Sequence, residues 1–183
     1  MTWLDQLLQR WRIGKALREL PPTPRLLDIG THDGSIFRLT GATGVGIDPE
    51  LIEGPPLSGV TLVKGFFPVD LPTQADGAFD AATALAVVEH VPEADLVTWA
   101  KVLAELMVPK GVLVITVPAP TVDKLLHVLM GLHLIAGIEA HQHHGFQPSD
   151  LDGIFTAPLW RRRKHRRFQL GLNHLYVFER TPS

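Results

Sequence analysis

The chain has 183 residues, enough for one compact domain with its own core and too few for two. Its 45% hydrophobic and 20% charged residues, with a formal net charge of −2, are those of a soluble globular protein and exclude a disordered or collagenous chain. There is no cysteine, which rules out disulfides, thiolate metal sites and a cysteine nucleophile and suits a reducing, cytoplasmic location.

The N-terminus mixes acids and bases within its first dozen residues and has no apolar core of the signal-peptide kind. Trp3, Leu4, Leu7, Leu8 and Trp11 recur at helical spacing with Arg10, Arg12, Lys15 and Arg18 among them, and Pro21, Pro22 and Pro24 stop the run. The pattern predicts an amphipathic helix within residues 1–20 that packs on the sheet, with docking on a membrane surface or a partner as the alternative use of its Trp and Arg face. Short apolar runs follow: Arg25 to Ile29, Thr43 to Ile47, Val60 to Lys64, Phe79 to Ala84 and Gly111 to Val117. They read as buried strands. Between the last two, Leu96, Trp99, Ala100, Leu103 and Met107 share a helical face that Pro92 and Glu93 open and Pro109 closes. Strands alternating with helices predict a parallel sheet with right-handed crossovers.

Leu125 to Ile138 is the longest apolar stretch; His127 and His133 interrupt it, and it is shorter than the roughly 20 residues that span a bilayer, so no transmembrane segment is expected. It reads as a packed helix or as an apolar cover over a substrate. Trp160 to Leu170 and Leu172 to Glu179 flank Gly171 closely enough to predict an antiparallel hairpin at one sheet edge. The first of these strands carries Arg161 to Arg167, which holds six of the 17 lysines and arginines and leaves the remainder of the chain acidic. Clustered bases suit phosphates, but on an edge strand they also guard against unwanted pairing. With no interleaved aromatics, a solvated edge is the expectation, an anionic membrane surface stays open and nucleic acid is not expected.

The informative segment is Arg25-Leu-Leu-Asp-Ile-Gly-Thr-His-Asp-Gly34, a buried strand running into a turn with Gly30 and Gly34. Such glycines make a tight strand-to-helix turn or let a ligand approach the backbone. A second strand, Thr43-Gly-Val-Gly-Ile-Asp48, ends in a carboxylate, where an acid can accept bonds from a ribose diol. The order Gly30-Thr31-His32-Asp33-Gly34 is not the G-x-G-x-x-G of a pyrophosphate turn, and Asp28 and Asp33 would repel a diphosphate while suiting a cationic ligand. Nicotinamide chemistry is therefore disfavoured.

These residues resemble class I S-adenosylmethionine-dependent methyltransferases. The resemblance covers roughly residues 23–180 and rests on four motifs in order: Leu27-Asp28-Ile29-Gly30, Gly46-Ile47-Asp48, Phe79-Asp80 leading to Val88-Glu89-His90-Val91, and Val102-Leu103 through Pro109-Lys110-Gly111 to Pro118. It implies a single domain over 1–183 with a Rossmann-like, three-layer α/β/α sandwich around a mostly parallel seven-stranded sheet and an antiparallel C-terminal hairpin. It implies S-adenosyl-L-methionine as cofactor, bound through Asp28, Gly30, His32 and Gly34, with Asp48 and Pro49 at the ribose, Phe66 near the adenine, and Ala84 and Leu85 near the methionine and reaction centre. His32 stands where the middle glycine is usual, and Phe66 where an acid often binds the adenine amine.

Methyl transfer is an in-line displacement, so alignment of the acceptor supplies much of the catalysis and a base is useful chiefly for a hydroxyl. His144, from the cluster His141-Gln142-His143-His144, and His90 are the expected bases, with a small or apolar acceptor methylated on oxygen. Some relatives bind a divalent metal through Glu-x-x-Glu-His after the fourth strand. Glu89, His90 and His144 look like part of that set, but Ala86 takes the place of the first glutamate, so no metal is expected. The alternative of another class is a non-catalytic cofactor-binding module that docks on a partner through the Trp3/Trp11 helix.

Overall fold

The computed structural model describes residues 3–72, 79–119 and 146–182, and the side chains of its first helix from Gln9 onward. Among the described residues four α-helices and seven strands follow one another: α1 (Trp3–Ala16), β1 (Arg25–Ile29), α2 (Ser35–Thr40), β2 (Thr43–Asp48), β3 (Val60–Lys64), β4 (Phe79–Leu85), α3 (Glu93–Leu106), β5 (Met107–Pro118), α4 (Leu151–Ile154), β6 (Trp160–Phe168) and β7 (Asn173–Arg180). The strands form one sheet in the order β3-β2-β1-β4-β5-β7-β6. The first five run parallel, while β7 pairs antiparallel with both β5 and β6. This is the expected Rossmann-like sandwich with its terminal hairpin, and the basic strand β6 does form an edge. Among the described residues no helix is long and apolar enough to cross a membrane.

Alternation along each strand sorts the side chains between two faces. Leu27, Ile29, Ala82, Ala84, Leu113 and Ile115 bury one face against Leu96, Trp99, Ala100 and Leu103 of α3, at the helical spacing read from the sequence. Leu26 and Ala81 face the other way, onto Ile13 of α1 and onto Ile36 and Phe37 of α2. Beside them Val112, Val114, Leu175 and Val177 close over Ala16 of α1. The N-terminal helix therefore packs on the sheet as expected, through Ile13 and Ala16, with Trp11 45% exposed.

One boundary differs from the sequence reading. Met107 does not continue α3; it begins β5, and Pro109 lies inside that strand. The reason is a break in register: Met107 pairs with Phe79, and regular pairing resumes only at Val112 with Ala81. The intervening residues bulge, Lys110 takes a φ of 67°, and a proline that lacks a donor costs the ladder nothing there.

The hairpin is anchored at its far end by Trp160. Its indole Nε1 donates to the Ala100 carbonyl at 2.8 Å, and its ring meets Phe155 edge-on at 5.7 Å. Replacing Trp160 with Phe keeps most of the apolar contact and removes the donor. Urea unfolding of Trp160→Phe should show a loss of about 1–2 kcal/mol at an unchanged m value.

Candidate active site

The loops that leave the carboxyl ends of β1 to β4 converge on one cleft, as open parallel sheets require. Gly30, the first residue beyond β1, has a φ of 78°, and a Cβ there would lie 2.2 Å from Cγ2 of Val87, in the loop after β4. Only a residue without a side chain lets these two loops meet. On the other flank, a Cβ at Gly46 of β2 would lie 2.7 Å from the Thr31 hydroxyl, so the loop rests directly on β2. The N–H groups of Gly30 and Thr31 both donate to the Ile47 carbonyl, at 2.9 and 3.3 Å.

Asp48 gathers three loops. Its Oδ2 accepts the His32 N–H at 2.8 Å and its Oδ1 accepts the Glu50 N–H at 2.7 Å. Its main-chain carbonyl accepts the Gly65 N–H at 3.1 Å. The carboxylate is thereby fixed by two backbone donors, and each of its oxygens keeps a lone pair for a further donor. His32 replaces the usual glycine by accepting a φ of 54°; its Nδ1 is buried with no hydrogen-bond partner.

The cleft has a volume of about 1120 Å³. Gly30, His32, Asp48, Pro49 and Phe66 line one part, and Leu85, Ala86, Val87, His90, Val91 and Trp99 line the other. Phe66 is 66% exposed on the wall, whereas Phe67 beside it is buried edge-on against Trp99 with ring centroids 5.1 Å apart. Behind the Gly30 turn lies a chamber of about 50 Å³ lined by Gln9, Arg12, Asp28, Thr31 and Ser35. Gln9, Arg12, Gly30 and Leu85 border both spaces.

The chamber holds buried charge. Asp28 accepts the Thr83 hydroxyl at 2.5 Å, yet burial drives its pKa up to about 6, and Asp48 and Asp33 push the same way against the Thr83 bond. Burial would also raise Asp33, but bonds from the Ser35 hydroxyl and N–H, together with His32 and Arg38, outweigh it and leave that pKa lowered. Across the chamber, burial lowers the pKa of Arg12 and the Glu89 carboxylate opposes the change. The Nε of Arg12 is buried without a partner.

Several expected residues thus meet in the cleft: Gly30, His32, Asp48, Pro49, Phe66, Leu85 and His90. Asp28 stands behind the turn. Gly34 lines neither space; with a φ of 72° it starts α2. Ala84 points into the core on the α3 face, and Leu85 to Val87 form the wall in its place. His141, His143 and His144 and the Leu125 to Ile138 stretch lie outside the described residues. Glu89 is buried near Arg12, and among the described residues no three histidines or carboxylates converge as metal ligands. Gln9, Arg12 and Trp99 were not anticipated here. The available signal was that Gln9 and Arg12 extend the buried Ile13 and Ala16 stripe of α1 at i, i+3, i+4 and i+7.

Residues 3–157 match the family described as a methyltransferase domain. No curated protein sequence matches the chain. Among solved structures the fold is similar to a methyltransferase in complex with the Haloferax volcanii Trm112 methyltransferase activator, at 17% identity over 94% of this chain and 90% of that one, with a TM-score of 0.69. A SAM-dependent methyltransferase from Methanosarcina mazei is 18% identical over 92% and 98% of the two chains, with a TM-score of 0.65. Magnesium protoporphyrin IX methyltransferase from Synechocystis PCC 6803, with bound SAH, is 16% identical over 99% and 89%, with a TM-score of 0.65.

Two measurements check the site's construction. Gly30→Ala adds left-handed strain of about 1–2 kcal/mol and a collision with Val87, and should lower the melting temperature by several degrees; Val87→Ala in the same chain should recover part of the loss. Asp28 binds its proton more tightly folded than unfolded, so its contribution to stability is complete below its ordinary pKa of 3.8 and disappears as pH rises through about 6. Wild-type protein should therefore lose stability relative to Asp28→Asn between pH 4 and 7, by at most about 3 kcal/mol.

Proposed function

The chain belongs to the methyltransferase domain family as an S-adenosylmethionine-dependent enzyme, and from that premise we propose that it methylates an oxygen of a small or apolar acceptor held in the cleft beside His90. The observation that carries this reading is the cleft itself. At about 1120 Å³ it exceeds the roughly 300–1,000 Å³ of a single small-ligand site, leaving room for an acceptor beside the cofactor. Its walls on the α3 side, built from Leu85, Val87, Val91 and Trp99, suit an apolar partner.

The residues fit the cofactor by their own chemistry. The lone pairs left on Asp48 suit ribose hydroxyls, and the exposed Phe66 ring offers an apolar face to a purine in place of an acid. The unpartnered Nε of buried Arg12 can donate to a carboxylate, and Asp28 behind the Gly30 turn supplies negative charge toward an ammonium or sulfonium. The bound cofactor supplies a methyl group on a positively charged sulfur, already activated for displacement. The protein then has to align the acceptor, exclude water with its apolar wall and accept one proton. His90, exposed on the wall at the end of β4, takes that proton from the acceptor hydroxyl, and His144 is the second candidate for the role.

A second reading draws on the exposed Trp11 of α1 and on the Haloferax methyltransferase being bound to an activator. In it the chain binds S-adenosylmethionine and acts through a partner protein without turnover.

Incubation with methyl-labelled S-adenosylmethionine and cell extract separates the two. Labelled product that is stable as an ether or ester supports the enzyme reading. Tight binding with no labelled product in any extract selects the module, and absence of binding removes both. Calorimetry with S-adenosylhomocysteine should show Arg12→Gln weakening affinity about tenfold or more, as expected for losing a charge-assisted contact. Binding near pH 6 should release protons, because a cation beside Asp28 favours its ionised form, and Asp28→Asn should abolish that release.

A further inference from the structure

The basic run Arg161 to Arg167 divides into two parts that call for different explanations. At the Trp160 end every base has an acid built for it. Glu179 pairs with Arg161 at 2.6 Å and with Arg163 at 3.3 Å, Asp152 pairs with Arg162, and Glu19, in the turn after α1, pairs with Lys164 at 2.7 Å. These charges guard the edge strand at little electrostatic cost. Arg166 and Arg167, at the hairpin end, have no carboxylate within ion-pair distance among the described residues. His174, opposite Arg167 on β7, has its pKa lowered by burial and then by the charges of His165 and Arg167.

Immediately beyond these arginines stands Leu170, 99% exposed. Its φ of 57° is left-handed, between Gln169 at 51° and Gly171 at 87°. A leucine is poorly suited to that backbone and to that exposure; Gly or Asn would serve a plain turn better. The turn is also braced: the Gly171 N–H donates to Phe168, the Leu172 N–H to Gln169, and the Asn173 side chain donates to Gln169 Oε1 at 2.5 Å. An apolar side chain held out rigidly at an apex does not guard an edge. The apex projects from the same end of the sheet as the cleft, since Asn173 pairs with Pro118, the last residue of β5, and the Ala119 N–H donates to the Leu172 carbonyl at 2.8 Å.

We propose that the β6–β7 hairpin tip seats the protein on an anionic bilayer, with Leu170 entering the headgroup region and Arg166 and Arg167 lying against lipid phosphates. The combination of one apolar anchor with uncompensated arginines matches such a surface, which attracts bases electrostatically and accepts apolar side chains. A nucleic-acid strand would use the arginines but leave the leucine in water. The rings that could stack bases, His174, Tyr176 and Phe178, are buried. Seated this way, the cleft opens toward the lipid, whatever its acceptor.

The test uses the full chain with sedimenting vesicles of phosphatidylcholine alone and of an equimolar mixture with phosphatidylglycerol, over a range of salt. Binding should require the anionic lipid and fall steeply with salt. Arg166→Glu with Arg167→Glu should lower it by well over tenfold, at about fivefold for each arginine removed. If that pair fails to fold, Arg166→Gln with Arg167→Gln should lower it in the same sense. Leu170→Gly should also weaken binding while leaving the melting temperature unchanged or higher, which a merely structural role would not do. Arg161→Gln, removed from a satisfied pair, should bind as wild type. Equal binding to neutral vesicles, no binding to anionic ones, or full binding by Leu170→Gly would overturn the proposal. So would capture of single-stranded RNA in preference to vesicles with the same arginine dependence, which would assign the tip to nucleic acid.

Discussion

The arrangement of the cleft depends on the Asp48 carboxylate. It stands where β2 ends and accepts one N–H from the loop after β1 and one from its own loop, while its main-chain carbonyl takes a third from the loop after β3. Backbone donors at fixed positions hold the group more tightly than flexible side chains could, because no rotamer freedom is lost when they engage. Three loops that would otherwise move separately are tied to one strand tip. The left-handed turn at His32 follows from this, since its N–H must face Asp48 while its carbonyl accepts the Ile52 N–H at 2.8 Å.

Behind that tip the protein tolerates charge where solvent is scarce. Asp28 accepts the Thr83 hydroxyl, with two other carboxylates raising its proton affinity. Arg12 stands on the opposite wall with its Nε unmatched. Groups left in this condition are costly in an isolated fold and are retained where a ligand completes them. The Leu27 and Leu113 layer beneath α3, by contrast, is wholly apolar.

Much of the scaffold was legible in the sequence because its signals are local. β1 and β3 run over the same residues the apolar runs mark, and Asp48 falls at the tip of β2 as its motif requires. The hairpin turn at Gly171 was equally plain. Signals that depend on three-dimensional juxtaposition were not. The Trp and Arg pattern of α1 does not reveal which way the helix is rotated, so Arg12 emerged at the cleft only when Ile13 and Ala16 fixed that rotation. Ala84 and Leu85 are adjacent in sequence but lie on opposite faces, and only Leu85 reaches the ligand space. Met107 satisfies the helical repeat and is taken by the sheet instead, because the bulge opposite Asp80 lets β5 begin early.

The direct passage from α3 into β5 has a mechanical consequence. Leu106 ends the helix and Met107 begins the strand, with no connecting residue to serve as a hinge. The N-terminal half of α3, which brings Asp95, Thr98 and Trp99 to the cleft, is therefore geared to a central strand and cannot swing without dragging the sheet. One jaw of the site is stationary, and adjustment to guests of different size falls to the loops on the opposite bank, around Pro49 and Phe66.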